Sequence, residues 1–194
     1  MKIILATWND VKFKWLSDGF SKTNLPIVQV NSKNIEDAEE TGKTCEENAL
    51  IKVRAVGPVI DSIIVGEDSG LFIDALNGFP GVKTVRWMDG TDDDRSIEIL
   101  KKMDSVSKEK RSARFISAIA LLYPDGNEKV FVGELEGSIS IELLGESGKG
   151  YQRIFVLPDG KALAESGSTL IREDDHRHKA MSNAVNFILN TNSI

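Results

Sequence analysis

The sequence has little cysteine and histidine, and it has no long apolar run. Cys45 is the single cysteine among 194 residues, so no internal disulfide can form. With two histidines in the chain, a histidine-based metal site is not expected. The apolar run from Ile3 to Ala6 is too short for a signal peptide, and no stretch reaches the roughly 18 apolar residues of a membrane helix. We therefore expect a cytoplasmic protein with no membrane partner.

The sequence also lacks an excess of positive charge. The formal net charge is −6, which argues against nucleic acid as a partner. A small anionic ligand remains compatible with this charge, because a bound metal can offset the local negative potential. The length of 194 residues suits one domain, and no repeat, low-complexity tract or long linker divides it. We expect residues 1–194 to form a single domain.

The order of strand and helix signals predicts an α/β fold. Lys2 to Thr7 is a short run with β-branched residues, which is typical of a buried strand. Apolar residues at helical spacing follow it and begin after Asn9. Thr44 has the spacing of a helix cap, and helices are also expected near residues 92–103 and at the C-terminus. Together these patterns predict helices on the faces of one sheet.

The strand signals predict a mixed sheet with long antiparallel strands in its middle. Ala113 to Tyr123 is apolar on both faces and predicts a central strand, and a returning strand is expected over Lys129 to Leu135. Ser138 to Leu144 predicts a further strand. Two short strands, Ile63 to Val65 and Leu71 to Ile73, are expected on either side of an acidic segment.

A candidate phosphate site lies where the first strand meets the first helix. Thr7 and Asn9 can donate hydrogen bonds to phosphate oxygens, Lys12 can neutralise them, and a helix N-terminus attracts anions. The glycines of a Walker loop are missing. The alternative is that Asn9 only caps the helix and Lys12 is an ordinary surface lysine.

A candidate metal site is formed by two acidic segments. Asp68 lies in Glu67-Asp68-Ser69-Gly70, and Glu39 lies in a second acidic stretch before a helix. Mg²⁺ prefers a few carboxylates together with waters and substrate phosphates. Such a metal polarises a phosphoryl oxygen while a carboxylate deprotonates water. The alternative is that Asp68-Ser69-Gly70 forms a hairpin turn and Glu39 lies in a solvated loop.

Taken together, these segments resemble the ITP/XTP pyrophosphatase (Ham1-like) family, in order and through nearly the whole chain. The segments that carry the resemblance are Ile4-Leu5-Ala6-Thr7-x-Asn9-x-x-Lys12, Glu39-Glu40-Thr41-Gly42, Glu47-Asn48-Ala49 with Lys52, Glu67-Asp68-Ser69-Gly70-Leu71, Gly78-Phe79-Pro80-Gly81-Val82, Ala113-Arg114-Phe115, Gly133-Glu134-Leu135-Glu136-Gly137, Gly150-Tyr151 and His176-Arg177-x-Lys179-Ala180.

The resemblance implies a two-lobed ITPase-like or Maf-like fold with a nucleotide cleft between the lobes, and a homodimer. It implies Mg²⁺-dependent hydrolysis of ITP, dITP or XTP to the monophosphate and pyrophosphate. By position, the triphosphate would be held by Thr7, Asn9 and Lys12, and the metal by Glu39 and Asp68. Asp68 would also be the base for the attacking water, and Lys12 would be the second catalytic residue. The remaining substrate contacts would come from Ser69, Lys149, Gly150, Tyr151, Gln152, Arg172, His176 and Arg177.

The base-recognition side departs from the pattern of the family it resembles. Where the family usually has Gly-Phe-Gly-Tyr-Asp-Pro, this chain has Lys149 for the aromatic residue, Gln152 for the aspartate and Arg153 for the proline. Asp175 replaces a serine before the His-Arg pair. Three interpretations stay open: a retuned purine pocket, a Maf-like pyrophosphatase for pyrimidine or modified nucleotides, and a nucleotide-binding protein without catalysis.

Overall fold

The computed structural model describes residues 1–30, 38–165 and 175–191, and it has an α/β architecture. No helix among these residues is both long enough and apolar enough to span a membrane. The strands are β1 (Lys2–Leu5), β2 (Ile27–Gln29), β3 (Ser62–Ile73), β4 (Pro80–Gly81), β5 (Ser112–Leu122), β6 (Glu128–Ile139) and β7 (Phe155–Val156), and the helices are α1 (Asp10–Phe20), α2 (Cys45–Val56), α3 (Asp92–Lys102) and α4 (His176–Thr191).

Local capping explains where α1 and α2 begin. The Asn9 side chain accepts hydrogen bonds from the backbone N–H groups of Val11 and Lys12 at the start of α1. Thr44 caps α2 by accepting from the Glu47 N–H at 3.2 Å. Each side chain satisfies helix-terminal donors that have no partner within the helix. The sequence predicts both helix starts, and the structure has them.

The described strands form a mixed sheet in the order β2-β1-β3-β5-β6-β7, with β4 beside β3. Strand β1 is parallel to both β2 and β3, whereas β7 is antiparallel to β6. This arrangement confirms the predicted mixed α/β class. In β1 and the first half of β3 the residues are largely buried, as expected of parallel strands.

Two predicted interruptions of strands are wrong. The segments around Ile64 and Phe72 belong to one continuous strand, β3, so Asp68-Ser69-Gly70 is not a hairpin turn. Every residue from Ser62 to Asp68 is buried, and the acidic side chains have partners within the fold. Similarly, β6 runs unbroken to Ile139, where the Arg111 side chain binds the carbonyl oxygens of Ile139 and Ser140 at 2.9 and 2.6 Å. The strand expected from Ser138 to Leu144 therefore stops at its second residue.

The chain divides into two compact units. Unit 1 comprises residues 1–68, 117–133 and 176–194, and its described core packs Phe20, Val65 and Ile119 together with the buried face of α4. Unit 2 comprises residues 69–116 and 134–175, and its described core includes Ile99, Leu135 and Phe155. Because each unit has its own apolar cluster, each can hold functional side chains rigidly.

Candidate active site

The predicted phosphate site is a capped helix N-terminus in unit 1. Thr7 follows β1 and is buried, and its hydroxyl accepts a hydrogen bond from the Asn9 N–H at 3.3 Å. The Asn9 side-chain oxygen is used as the cap of α1, so Asn9 has a structural role. The cap brings Lys12 into the first turn of α1, where the helix dipole is positive.

Lys12 contacts a buried carboxylate of β3. Its ammonium lies 2.8 Å from Oε2 of Glu67, whose side chain is 1% exposed, whereas the Lys12 side chain is 29% exposed. The other Glu67 oxygen accepts a hydrogen bond from the Ser117 hydroxyl at 3.1 Å. Lys12 therefore links the helix terminus to the acidic segment and keeps part of its side chain open to solvent.

A second lysine, Lys52 of α2, joins two carboxylates. Its ammonium lies 2.8 Å from Oε1 of Glu40 and 3.2 Å from Oδ1 of Asp68, and it donates to the Glu67 carbonyl oxygen at 2.7 Å. The Asn48 amide donates to the other Asp68 oxygen at 3.1 Å. Both oxygens of Asp68 are thus oriented by side chains of α2. We call Lys12, Glu40, Asn48, Lys52, Glu67 and Asp68 the Asp68 cluster.

Gly66 allows α2 to lie close enough to β3 for these contacts. A Cβ atom at Gly66 would come within 2.6 Å of the Ala49 carbonyl oxygen and 3.2 Å of the Lys52 Cβ. Real Cβ atoms essentially never lie under 3.0 Å from backbone atoms, so a side chain at residue 66 would push the helix away. The glycine therefore sets the distance at which Lys52 and Asn48 reach Asp68.

The pKa values of the two adjacent carboxylates of β3 are shifted in opposite directions. Burial alone would raise the pKa of Glu67, but the charges of Lys12, Arg177 and Lys52 outweigh it and lower the pKa to about 2. Burial raises the pKa of Asp68 above its usual value, and repulsion from Glu40 raises it further. The charge of Lys52 and the hydrogen bond from Asn48 lower this pKa but do not outweigh burial. Glu67 is therefore a fixed negative charge, whereas Asp68 is the stronger base of the pair.

The structure brings Glu40, rather than the predicted Glu39, to the Asp68 cluster. The Glu39 side chain is exposed, whereas the Glu40 side chain is 16% exposed and paired with Lys52. Over the described residues, no group of three histidine, cysteine, aspartate or glutamate side chains is arranged to hold a metal ion. Mg²⁺ needs fewer protein ligands than that, because it commonly binds one or two carboxylates and completes its shell with water and phosphate.

The His-Arg pair expected at the base begins α4 in unit 1. His176 is buried, and the Arg177 guanidinium lies 5.9 Å from the centre of the Trp15 ring and contributes positive charge at Glu67. Gly133 of β6 permits this position, since a Cβ there would come within 2.1 Å of the His176 carbonyl oxygen. Arg177 is thereby part of the same electrostatic environment as Lys12.

The other predicted substrate residues belong to unit 2. Ser69 follows Asp68 on β3, and Lys149, Gly150, Tyr151 and Gln152 lie in the 148–153 loop. Lys149 is exposed, whereas Tyr151 is 2% exposed with its hydroxyl hydrogen-bonded inside the unit. Arg172 lies outside the described residues.

Most contacts in the Asp68 cluster are made by Asn48, Lys52, Glu40 and Glu67. The sequence indicates the two acidic segments that contain Glu40 and Glu67, but it gives none of these four residues an individual role. A signal for two of them is present in α2. Asn48 and Lys52 stand on its buried face, one turn apart, beside Ala49 and Val53. A polar residue at such a position needs a buried partner, and here that partner is Asp68.

Known proteins are similar to this chain over nearly its whole length. The Ham1 family pattern matches residues 3–187. The chain belongs to the Ham1 family. A dITP/XTP pyrophosphatase of Symbiobacterium thermophilum is 39% identical over 93% of this chain and 91% of its own length. A non-canonical purine NTP pyrophosphatase homolog of Halalkalibacterium halodurans is 40% identical over 96% of this chain and 95% of its own length.

A solved structure has the same fold as this Ham1-family chain. The HAM1 protein of Coxiella burnetii superimposes with a TM-score of 0.87 at 29% identity, covering 98% of this chain and 99% of that one. The predicted resemblance is thus confirmed at the level of family and fold.

Proposed function

We propose that this Ham1-family chain hydrolyses the non-canonical purine nucleotides ITP, dITP and XTP to the monophosphate and pyrophosphate. Water would attack the α-phosphorus, the bond between the α-phosphorus and the bridging oxygen would break, and pyrophosphate would leave. The single observation that carries this proposal is the buried Asp68 cluster, in which two lysines hold three carboxylates next to a helix N-terminus. The names of its relatives support the substrate class.

Asp68 is the proposed general base. Burial raises the pKa of its carboxylate, which increases its affinity for the proton of the attacking water. Lys52 and Asn48 each hold one of its oxygens, so the carboxylate is oriented before substrate arrives. We assign Lys52 and Asn48 to orientation of Asp68, a role that the sequence alone did not suggest.

The triphosphate would bind at the N-terminus of α1. Lys12 is the proposed catalytic cation, because its side chain is partly exposed and its ammonium is held by the buried Glu67 carboxylate. The Thr7 hydroxyl and the helix terminus capped by Asn9 would complete the phosphate contacts. Lys12 would then stabilise negative charge that develops on the phosphates.

Mg²⁺ is the proposed cofactor, and the donor set suits it. Asp68 and Glu40 supply hard carboxylate oxygens that both contact the single ammonium of Lys52, so one positive charge faces two negative ones. We therefore propose Glu40 with Asp68 as ligands, in preference to the exposed Glu39. When bound, Mg²⁺ would polarise phosphoryl oxygens and neutralise their charge.

The base would be bound by Ser69, His176, Arg177 and the 148–153 loop. A guanidinium such as Arg177 donates hydrogen bonds only, so it favours the 6-oxo group of hypoxanthine and xanthine over the amino group of adenine. A donor facing another donor would cost about 1–3 kcal/mol.

We further propose that the two units act as one catalytic domain, that the chain forms a homodimer, and that it works in the cytoplasm.

A substrate panel tests the proposed reaction. ITP, XTP, GTP, ATP, dTTP and UTP are each incubated with the protein and Mg²⁺, and the phosphorus-containing products are resolved by ³¹P NMR. We expect ITP and XTP to give monophosphate and pyrophosphate, and the other nucleotides to react far more slowly. Preference for dTTP or UTP would instead support the Maf-like alternative. Tight binding of ITP without turnover would support a nucleotide-binding protein.

A further inference from the structure

The buried Tyr151 connects the 148–153 loop to the interior of unit 2. Its hydroxyl accepts a hydrogen bond from the Trp87 indole N–H at 2.8 Å and donates one to the Thr84 carbonyl oxygen. The single hydroxyl proton of Tyr151 is thus used inside the protein. Tyr151 is therefore suited to holding the loop rather than to donating a hydrogen bond to a substrate.

Thr84 extends this connection to Ser69. The Thr84 hydroxyl lies 3.3 Å from the Ser69 carbonyl oxygen and 3.2 Å from the Gly81 carbonyl oxygen, within donating distance of both. One residue thus accepts from Tyr151 through its carbonyl group and donates toward Ser69 through its side chain. Two predicted substrate segments of unit 2 are linked through Thr84.

Arg153 fixes the other end of the loop. Its guanidinium lies 2.5 Å from Oδ2 of Asp93 in the first turn of α3. It also donates to the carbonyl oxygens of Gly145 at 2.9 Å and Leu144 at 3.3 Å. The ion pair combines with two backbone contacts, so the Arg153 side chain has little freedom to move.

The first turn of α3 holds the loop at a second point. The Gly150 N–H donates to Oδ2 of Asp92 at 2.7 Å, and the other Asp92 oxygen is paired with Arg95 at 2.7 Å. Asp92 and Asp93 thus bind the loop through a backbone N–H and a guanidinium respectively.

Lys149 and Gln152 are side chains of the loop that have hydrogen-bond donors and do not serve as anchors. The Gln152 side-chain oxygen accepts from the Lys149 N–H at 3.0 Å, which leaves its NH₂ group to donate. The ammonium of Lys149 is exposed, and within the described part of the chain it has no ion-pair partner. Both free groups are donors, so they match a base edge that carries carbonyl oxygens.

We propose that Tyr151 and Arg153 are positioning residues that fix the 148–153 loop, so that Lys149 and Gln152 offer the donors of an ammonium and an amide group to the nucleobase. These donors match a base that presents oxo groups, which is the substrate class of the proposed function. This inference rests on the proposed function, since that function makes the loop part of the base site.

The experiment measures nucleotide binding without turnover. ITP and ATP are titrated by calorimetry, in EDTA, into the wild-type chain and into Asp93→Asn, Arg153→Gln and the double variant. We expect each single variant to weaken ITP binding about tenfold, with no further loss in the double variant, because both break one ion pair. Inorganic tripolyphosphate, which has no base, should bind all four proteins equally. Asp89→Asn removes an exposed charge nearby and should bind like the wild type.

A second variant tests the amide donor of Gln152 without disturbing the anchors. Gln152→Glu keeps an oxygen for the Lys149 N–H but replaces the donating NH₂ by an acceptor. The preference for ITP over ATP should fall about tenfold. Unchanged ITP affinity in the Asp93 and Arg153 variants, or an unchanged preference in Gln152→Glu, would overturn the proposal. A wild-type chain that binds ITP with this preference but fails to hydrolyse it would contradict only the proposed reaction.

Discussion

Around Asp68, most of the charged side chains are buried and pair with one another, whereas in the 148–153 loop Arg153 is paired and the exposed Lys149 has no ion-pair partner among the described residues. Lys52 is 7% exposed and contacts two carboxylates, while Lys149 is exposed and contacts none among the described residues. Buried paired charges are fixed before a substrate arrives, which suits chemistry. Exposed donors on a fixed backbone suit recognition. Changes in the first region should therefore affect kcat, and changes in the second should affect KM.

The largest effect is expected from Lys52→Met. The substitution leaves Asp68 and Glu40 without their shared ammonium, and an unpaired buried charge costs about 3–5 kcal/mol. We expect kcat for ITP to fall about 10³-fold and the unfolding temperature to drop. Steady-state kinetics and thermal unfolding measure both. Lys14→Met, which removes an exposed lysine of α1, is the control and should change neither.

The next effect distinguishes two adjacent glutamates. Glu40→Gln should lower kcat about 10–100-fold and raise the Mg²⁺ concentration needed for half-maximal rate, because Glu40 contacts Lys52 beside Asp68. Glu39→Gln should stay within about twofold of the wild type, because its side chain is exposed. Magnesium titrations of the rate compare the two variants. A larger effect at residue 39 would restore the ligand set expected from the sequence.

A smaller effect concerns acid stability. The pKa of Glu67 is lowered from 4.5 to about 2, so its ionised form stabilises the fold above pH 4.5 and this contribution is lost as the pH falls toward 2. In Glu67→Gln, the decrease in unfolding free energy between pH 4.5 and 2 should be smaller by up to about 3 kcal/mol. Urea unfolding at several pH values tests this. An identical pH dependence in both proteins would show that Lys12 and Arg177 do not stabilise the charged form.

The smallest effect is expected from Lys149→Ala. The side chain is exposed and makes no ion pair within the described residues, so its removal should leave the unfolding temperature unchanged. KM for ITP should rise about threefold, with kcat unaffected, because one solvent-exposed contact to the base is lost. Initial-rate kinetics measure both parameters. A loss of kcat instead of an increase in KM would remove the distinction between the two regions.

Local sequence signals predict most of the helices and strands. Asn9 and Thr44 mark helix starts because capping depends on residues within one turn, and the apolar run of β5 stands out by itself. The continuity of β3 is not evident from the sequence, because Asp68-Ser69-Gly70 is composed of turn-type residues and the partners of Glu67 and Asp68 are not known. Those partners, Lys52 and Asn48, are 15 or more residues away in the chain.

The candidate site was predictable only in part for the same reason. The sequence pattern indicates Lys12 and Asp68 as site residues. It does not show whether Glu39 or Glu40 belongs to the site, because both lie in an irregular stretch without periodicity. Tyr151 was expected at the substrate, and its burial and internal hydrogen bonds depend on Thr84 and Trp87, more than 60 residues away.

The central claim, that Asp68 is the base for attack on the α-phosphorus, is tested most directly by Asp68→Asn. The amide can keep an oxygen for Asn48 but accepts no proton from water at neutral pH. We predict that ITP still binds in EDTA within about threefold of the wild type while kcat falls about 10³-fold, with Asp61→Asn as the matched surface control. A variant that releases pyrophosphate from ITP at the wild-type rate would contradict the account.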